Sequence, residues 1–185
     1  YESLCYLVEI GFKIIDTAID FCVDWTNDEL ETIFDQIKKS YEFYITRIDE
    51  YGMERFHWSF IDELKNSVKE KKKFYSCGAG IVSLYVKING DFYACPSCFD
   101  SRMKLGNIYT GYDIEKINFL KKVDTLNNKC NSCKLFSVCG AKGCLVLNLS
   151  SNNDMSIPNY ALCSIEKFMY NFYQSKYSHT EVQHD

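Results

Sequence analysis

No stretch of this 185-residue chain approaches the roughly 18 consecutive apolar residues that a membrane-spanning helix needs. No signal-peptide pattern opens it either. Neither sign of charge dominates: 21 Lys and Arg stand against 25 Asp and Glu, a net charge of −4. That balance leaves no basic field for a dedicated nucleic-acid binder. Internal repeats and low-complexity tracts are absent, and an aromatic content of 16% excludes long-range disorder. Histidine is rare, with three copies. His57 precedes a helix pattern and His179 and His184 fall in the tail, so all three read as surface or core residues rather than ligands. The length suits one good core or two small ones and is too short for a complete β/α barrel of about 250 residues. The first residue is Tyr1 rather than Met, so the chain is expected to be a piece of something longer.

What the sequence has in excess is cysteine, ten in all. Disulfide-dense secreted scaffolds are short and loop-dominated. Here long amphipathic patterns and a mixed-charge surface predict a reducing, cytoplasmic setting, where clustered cysteines hold metals or do redox work. Eight of the ten lie between Ser76 and Cys163, with seven of the nine glycines and both prolines. The composition therefore divides the chain near residue 75.

Upstream of that cut, a short helix around 4–8 ends at Gly11, and the β-branched run 14–21 reads as a strand. Thr26 and Glu29 form a capping box ahead of a long helix. Its stripe of Leu30, Ile33, Phe34, Ile37, Tyr41, Tyr44, Ile45 and Ile48 recurs every three or four residues, and Gly52 stops it. A second helix is predicted over 58–72, with Ile61, Leu64 and Val68 inward. Downstream, 81–88 alternates like a strand, with Val82, Leu84, Val86 and Ile88 on one face. It runs into Asn89-Gly90, a type I′ hairpin signal, with the returning strand at 91–94. A turn and short strand are expected at 105–108, a helix at 113–123, a cysteine-dense loop at 130–144 and a last helix from Asn159 to about Gln174, with Leu162, Ile165, Phe168, Met169 and Phe172 inward. The organisation is α+β: a first segment over residues 1–75, a Cys-rich domain over 76–175 and a flexible tail over 176–185.

Cys95-Pro96-Ser97-Cys98 and Cys130-Asn131-Ser132-Cys133 are C-x2-C chelates, a spacing that lets one turn bring two sulfurs to one metal group. The eight late cysteines make two sets of four, the usual complement for a cubane iron–sulfur cluster or a structural zinc. Ligand softness does not separate the two. Two zinc sites in a non-enzymatic interaction module remain one reading, and a disulfide framework another.

The order Cys77, Gly90-x4-Cys95, Cys130-x2-Cys133-x5-Cys139, Cys144 and outlying Cys163, with Cys77-Gly78-Ala79-Gly80 and Leu105-Gly106-Asn107-Ile108 among its glycine-bearing stretches, resembles the SPASM domain of radical SAM enzymes. The stretch covered is 77–163. It departs from the family in one spacing: four residues, Gly140 to Gly143, separate Cys139 from Cys144 where the family usually has three. The resemblance implies two auxiliary clusters of the [4Fe-4S] type. Cys130, Cys133, Cys139 and Cys163 would hold one, and Cys77, Cys95 and Cys144 the other, with Cys98 the candidate fourth ligand; the alternative is a free Cys98 thiol beside an open iron that could grip a substrate thiolate. It also implies that residues 1–75 are the end of a partial (β/α) barrel, one strand plus helices. The whole enzyme would be an oxidoreductase that modifies a peptide or protein, by thioether formation or side-chain oxidation for example. It would use an external electron donor or acceptor. S-adenosylmethionine and its own [4Fe-4S] cluster would belong to a preceding region, because C-x3-C-x2-C occurs nowhere in this chain.

In such an enzyme a substrate radical must lose an electron to become a closed-shell product, and auxiliary clusters provide that outlet. Asp16, Asp20 and Asp24 line the expected strand and its end, where barrel enzymes place catalytic groups; Asp20 is the candidate proton acceptor. Tyr93 and Phe99 flank the ligand cysteines and are expected to exclude water. Cys5 and Cys22, outside the octet, read as structural.

Overall fold

The computed structural model describes residues 1–51, 56–62, 64, 68–97, 99–123 and 129–177, with only the backbone of 49–51. Gly52, Cys98, His179 and His184 lie outside the described residues. Helices and short strands are mixed, as the α+β reading expects, and the chain divides into two compact units. The first comprises Tyr1–Asp20, Trp25–Glu70 and Lys167–Asp185, the second Phe21–Asp24 and Lys71–Glu166. Among the described residues no helix is long and apolar enough to cross a membrane.

In the first unit, α1 (Glu2–Glu9) closes on Gly11, whose φ of +99° suits a residue without a Cβ. The N–H groups of Gly11 and Phe12 return to the carbonyls of Val8 and Leu7, each at 3.1 Å, so the end carbonyls are satisfied. Strand β1 (Ile14–Ile15) pairs in parallel with β2 (His57–Trp58) across the long helix α2 (Asn27–Tyr51). The unit thus contains a strand–helix–strand crossover.

The strand predicted over 14–21 is therefore much shorter. Its partner β2 gives way at once to α3 (Ser59–Asp62). The Ser59 hydroxyl, bonded to the Ile15 carbonyl at 3.2 Å and to the Asp16 carboxylate, stands where the ladder would continue. The helix predicted from Trp58 likewise starts one residue later, because Trp58 is a buried strand residue whose indole N–H reaches Thr17 Oγ1 at 2.9 Å.

Helix α2 opens with the predicted capping box: the Thr26 N–H meets Glu29 Oε2 at 2.9 Å and the Glu29 N–H meets Thr26 Oγ1 at 3.3 Å. Leu30, Ile37, Tyr41 and Tyr44 are buried along its stripe. Phe34 stacks on Phe168 with centroids 4.2 Å apart, and Tyr41 meets Phe172 edge-on at 5.0 Å. Both partners come from α6 (Tyr160–Tyr177).

The second unit is built on an antiparallel sheet, β3 (Tyr85–Val86), β4 (Asp91–Tyr93), β5 (Lys104–Asn107) and β6 (Gly111–Tyr112), in that order. Two expectations change here. The alternating run 81–88 forms a strand only at Tyr85–Val86. Gly78 and Gly80, at φ +59° and +78°, fold the preceding residues into tight turns, leaving Val82 and Ile88 at the surface. The hairpin at Asn89-Gly90 is present, but the turn is not type I′, which needs positive φ at both residues; Gly90 has φ +82° and Asn89 does not. The Gly90 N–H closes on the Lys87 carbonyl at 2.8 Å, and the Lys87 N–H on that of Asp91 at 2.9 Å. That is the three-residue loop with a left-handed glycine at its end.

A bulge between Phe92 and Tyr93 shifts the register against β5. Leu105, within β5, is buried in a core of Phe74, Tyr75, Ala94, Met103, Leu120, Val123, Leu145, Val146 and Leu149. Helix α4 (Ile114–Leu120) is capped by the Asp113 side chain. Helix α5 (Leu145–Asn152), which has no counterpart among the expected elements, starts at Cys144 and ends at Asn153, whose φ is +56°.

Candidate metal centre

The second unit gathers cysteines through the backbone on either side of them. Gly143 packs so closely that a Cβ there would lie 1.5 Å from the Phe74 carbonyl oxygen and 3.1 Å from the Tyr75 nitrogen. This contact sets Cys144 beside the strand of chain that leads to Cys77. At Gly80 a Cβ would lie 3.2 Å from that of Ala94, so the Cys77-Gly78-Ala79-Gly80 loop touches the residue before Cys95. The Tyr75 hydroxyl donates to the Ala79 carbonyl at 2.6 Å and pins the loop from within.

Cys144 feels Cys77 and Cys95, the two residues that the resemblance assigns to the same cluster. The Cys144 thiol is pushed up to about 11, first by burial and then by the neighbouring thiols of Cys77, Cys95 and Cys22, partly offset by the Leu147 N–H. The Tyr75 phenol is raised well above its ordinary value, by burial first and then by Cys77, Cys144 and Cys95. Cys98, the expected fourth ligand, lies outside the described residues.

The other set is placed by two turns and a helix. Cys130 opens a tight turn in which the Cys133 N–H returns to the Cys130 carbonyl at 2.8 Å, and the Cys139 N–H bonds to the Leu135 carbonyl at 2.9 Å. Cys163 sits in the opening turn of α6, its N–H on the Asn159 carbonyl at 3.0 Å. Cys163 acts on Cys139. The Cys139 thiol is pushed up to about 11, first by burial and then by the Glu166 carboxylate, with a smaller push from Cys163. Hydrogen bonding from the Lys142 and Ala141 N–H groups opposes the rise.

The donor set fits an iron–sulfur group chemically: soft sulfur ligands, half-buried except for the exposed Cys77, with backbone N–H groups aimed at the Cys139 sulfur, features that tune such centres. None of the nine described cysteines is in a disulfide. Among the described residues, no three Cys, His, Asp or Glu side chains are grouped closely enough to share a single metal ion.

Between the two sets lies a residue that sequence reasoning does not single out. Lys142, in the segment where the chain carries its extra residue, is 1% exposed. Its ammonium donates to the Lys72 carbonyl at 2.7 Å and to the Phe136 carbonyl, and stands 4.4 Å from the Phe136 ring centroid. The segment is a fastened loop with a buried cation, not slack chain. The available signal is a lysine between two glycines in an otherwise apolar stretch. Lys142→Met is expected to cost roughly 1–3 kcal/mol, because two partly buried carbonyls lose their donor; the urea midpoint measures it.

Of the remaining candidates, Asp20 is exposed and lies well beyond the end of β1, so the strand-end setting that singled it out is absent; its carbonyl accepts the Trp25 indole N–H at 2.6 Å. Tyr93 is buried, but Phe99 is 44% exposed. Phe99 instead meets Tyr93 edge-on at 5.2 Å, with the Lys87 ammonium 4.5 Å from its centroid. Of the two, Tyr93 alone has the burial that the water-excluding role requires. His57 is exposed beside Asp62, Nδ1 to Oδ2 3.6 Å. No family model matches the chain, and no curated protein matches it.

Proposed function

We propose that the chain binds two iron–sulfur clusters and forms the C-terminal region of a radical SAM/SPASM oxidoreductase that modifies a peptide or protein. The observation that carries the reading is the grouping of thiols. Cys77 and Cys95 both act on Cys144, and Cys163 acts on Cys139, along the same division that the resemblance implies. Cys130 and Cys133, joined by one turn, complete the second set. The parallel β1–α2–β2 crossover supports the barrel-end reading, since strand–helix–strand units are what such barrels repeat.

Clusters bound here supply an outlet for the electron that a substrate radical must shed, with an external carrier taking it onward. The chain's own residues set the conditions for that role. The Ala141 and Lys142 N–H groups hydrogen-bond to the Cys139 sulfur and favour its thiolate. Lys142 supplies fixed positive charge within the loop that joins the two sets, which favours the reduced form of a nearby centre. The Tyr75 ring, which feels Cys77, Cys144 and Cys95, limits water beside the first set, and the buried Tyr93 lies two residues before Cys95.

The test is iron and acid-labile sulfide analysis after anaerobic reconstitution. The expected result is about eight irons and eight sulfides per chain, with broad visible absorption, from two thiolate-held cubanes. Colourless protein with about two zincs would replace this reading with the structural-zinc module.

A further inference from the structure

We propose that Cys22 is a thiolate ligand of the first metal group, joining Cys77, Cys95 and Cys144. The inference rests on the two-cluster reading and adds to it a residue that stands far upstream of the eight-cysteine pattern. The chain itself gives the first indication. Residues 1–20 and 25–70 belong to the first unit, yet the intervening Phe21–Asp24 belongs to the second. This short excursion carries a single soft donor, Cys22.

That donor is held at the C-x2-C chelate. The Cys22 thiol donates to the Ser97 carbonyl at 2.9 Å, and the Ser97 N–H in turn faces Cys95 Sγ at 3.5 Å. A single residue of the Cys95-Pro96-Ser97-Cys98 loop, Ser97, therefore links the two sulfurs through its N–H and its carbonyl. Cys22 also acts on the half-buried Cys144 together with Cys77 and Cys95, so four sulfurs from four separate segments share one neighbourhood. A packing role does not account for it, because an unreactive cysteine is ordinarily among the most buried of residues and Cys22 is exposed.

The chemistry balances simply. The Cys22 thiol gives up its proton to solvent, its hydrogen bond to Ser97 lapses, and the sulfur lone pair enters the coordination shell; no oxidant or reductant is needed. Four thiolates complete a cubane's usual set, so Cys98 is not required for the first group.

Two measurements on the protein reconstituted with iron and sulfide test this. In wild-type protein, alkylation by iodoacetamide, read residue by residue by mass spectrometry, is expected to label Cys22 at least tenfold more slowly in the loaded form than in the metal-free form. Cys22→Ala is expected to lower iron from about eight to about four per chain, or to change the electron paramagnetic resonance signal of the reduced protein, while Cys98→Ala keeps both. Equal labelling of Cys22 in loaded and metal-free protein, with iron content and spectrum unchanged in Cys22→Ala, overturns the assignment and leaves the two-cluster reading intact. Wild-type protein that takes up no iron overturns the two-cluster reading itself. Labelling requires no variant to fold.

Discussion

Replacing Gly143 with alanine is expected to break the second unit apart. An ideal Cβ at this position sits 1.5 Å from the Phe74 carbonyl oxygen and 2.4 Å from its carbon. Both are backbone atoms, so no rotamer change relieves the overlap. Either 72–76 or 140–144 must shift, and each is tied down: the Lys72 N–H bonds to the Ser137 carbonyl at 2.7 Å, and Lys142 bonds to the Lys72 carbonyl at 2.7 Å. A cost of about 4 kcal/mol or more is expected, in the range reserved for clashes of this kind and comparable with the whole stability of many domains.

The damage reaches the site directly, because the moving segments carry Cys144 and lead to Cys77. A thermal melt followed by circular dichroism, together with iron content after reconstitution, should show both losses. Gly111→Ala is the control. Gly111 has φ +80° but nothing within 4 Å of its would-be Cβ, so it carries only the conformational penalty of about 1–2 kcal/mol. Equal melting temperatures for the two variants would remove close packing as the reason for glycine at 143.

This contact also shows where sequence pattern stops being informative. Periodicity identifies α2, down to its Thr26–Glu29 cap, because a long amphipathic stripe has one satisfactory burial solution. The same logic places α4 and α6. It overextends the strands at 14–21 and 81–88, where β-branched residues are plentiful but pairing partners are not. Ladder length is set by the neighbour: two residues of β2 pair with β1, and two residues of β4 pair with β3. Helix α5 escapes it because Leu145, Val146, Leu147 and Leu149 lie together as a short apolar run buried on nearly all sides, which carries no helical period.

At the candidate site, the family resemblance is what separates Cys77, Cys95 and Cys144 from Cys139 and Cys163. It says nothing of Cys22, whose placement depends on a chain excursion that no local pattern encodes, nor of Lys142, whose ammonium is satisfied by carbonyls remote in sequence. From spacing, the four-residue gap between Cys139 and Cys144 is a departure for flexible glycines to absorb. Gly143 is instead packed against the Phe74 backbone, and Lys142 is buried beside it.

The metal-free protein should lose stability in alkali, between about pH 9 and pH 11. Cys139 and Cys144 are each pushed from 9.0 to about 11, principally by burial, so the fold prefers their protonated forms. A group whose pKa is higher folded than unfolded contributes its full stability below the unfolded value, and loses it as pH rises through the folded one. For Cys144 the rise corresponds to roughly 2–3 kcal/mol; Cys139, more open to solvent screening, contributes less. The acid limb runs the other way: Asp100, held to about 2 chiefly by hydrogen bonding from the Arg102 side chain, adds stability above its ordinary value that is lost as pH falls.

Loading with metal reverses the alkaline behaviour, because ligation needs thiolates and releases their protons, so apparent affinity climbs with pH. Urea midpoints of the reduced, metal-free protein should therefore hold steady near neutrality and fall from about pH 9, with Cys144→Ala flattening the decline. Loaded protein should show no such fall over the same interval. A metal-free profile that stayed level to pH 11 would mean that the two thiols are as well hydrated folded as unfolded, and the half-buried pocket around Cys144 would have to be given up.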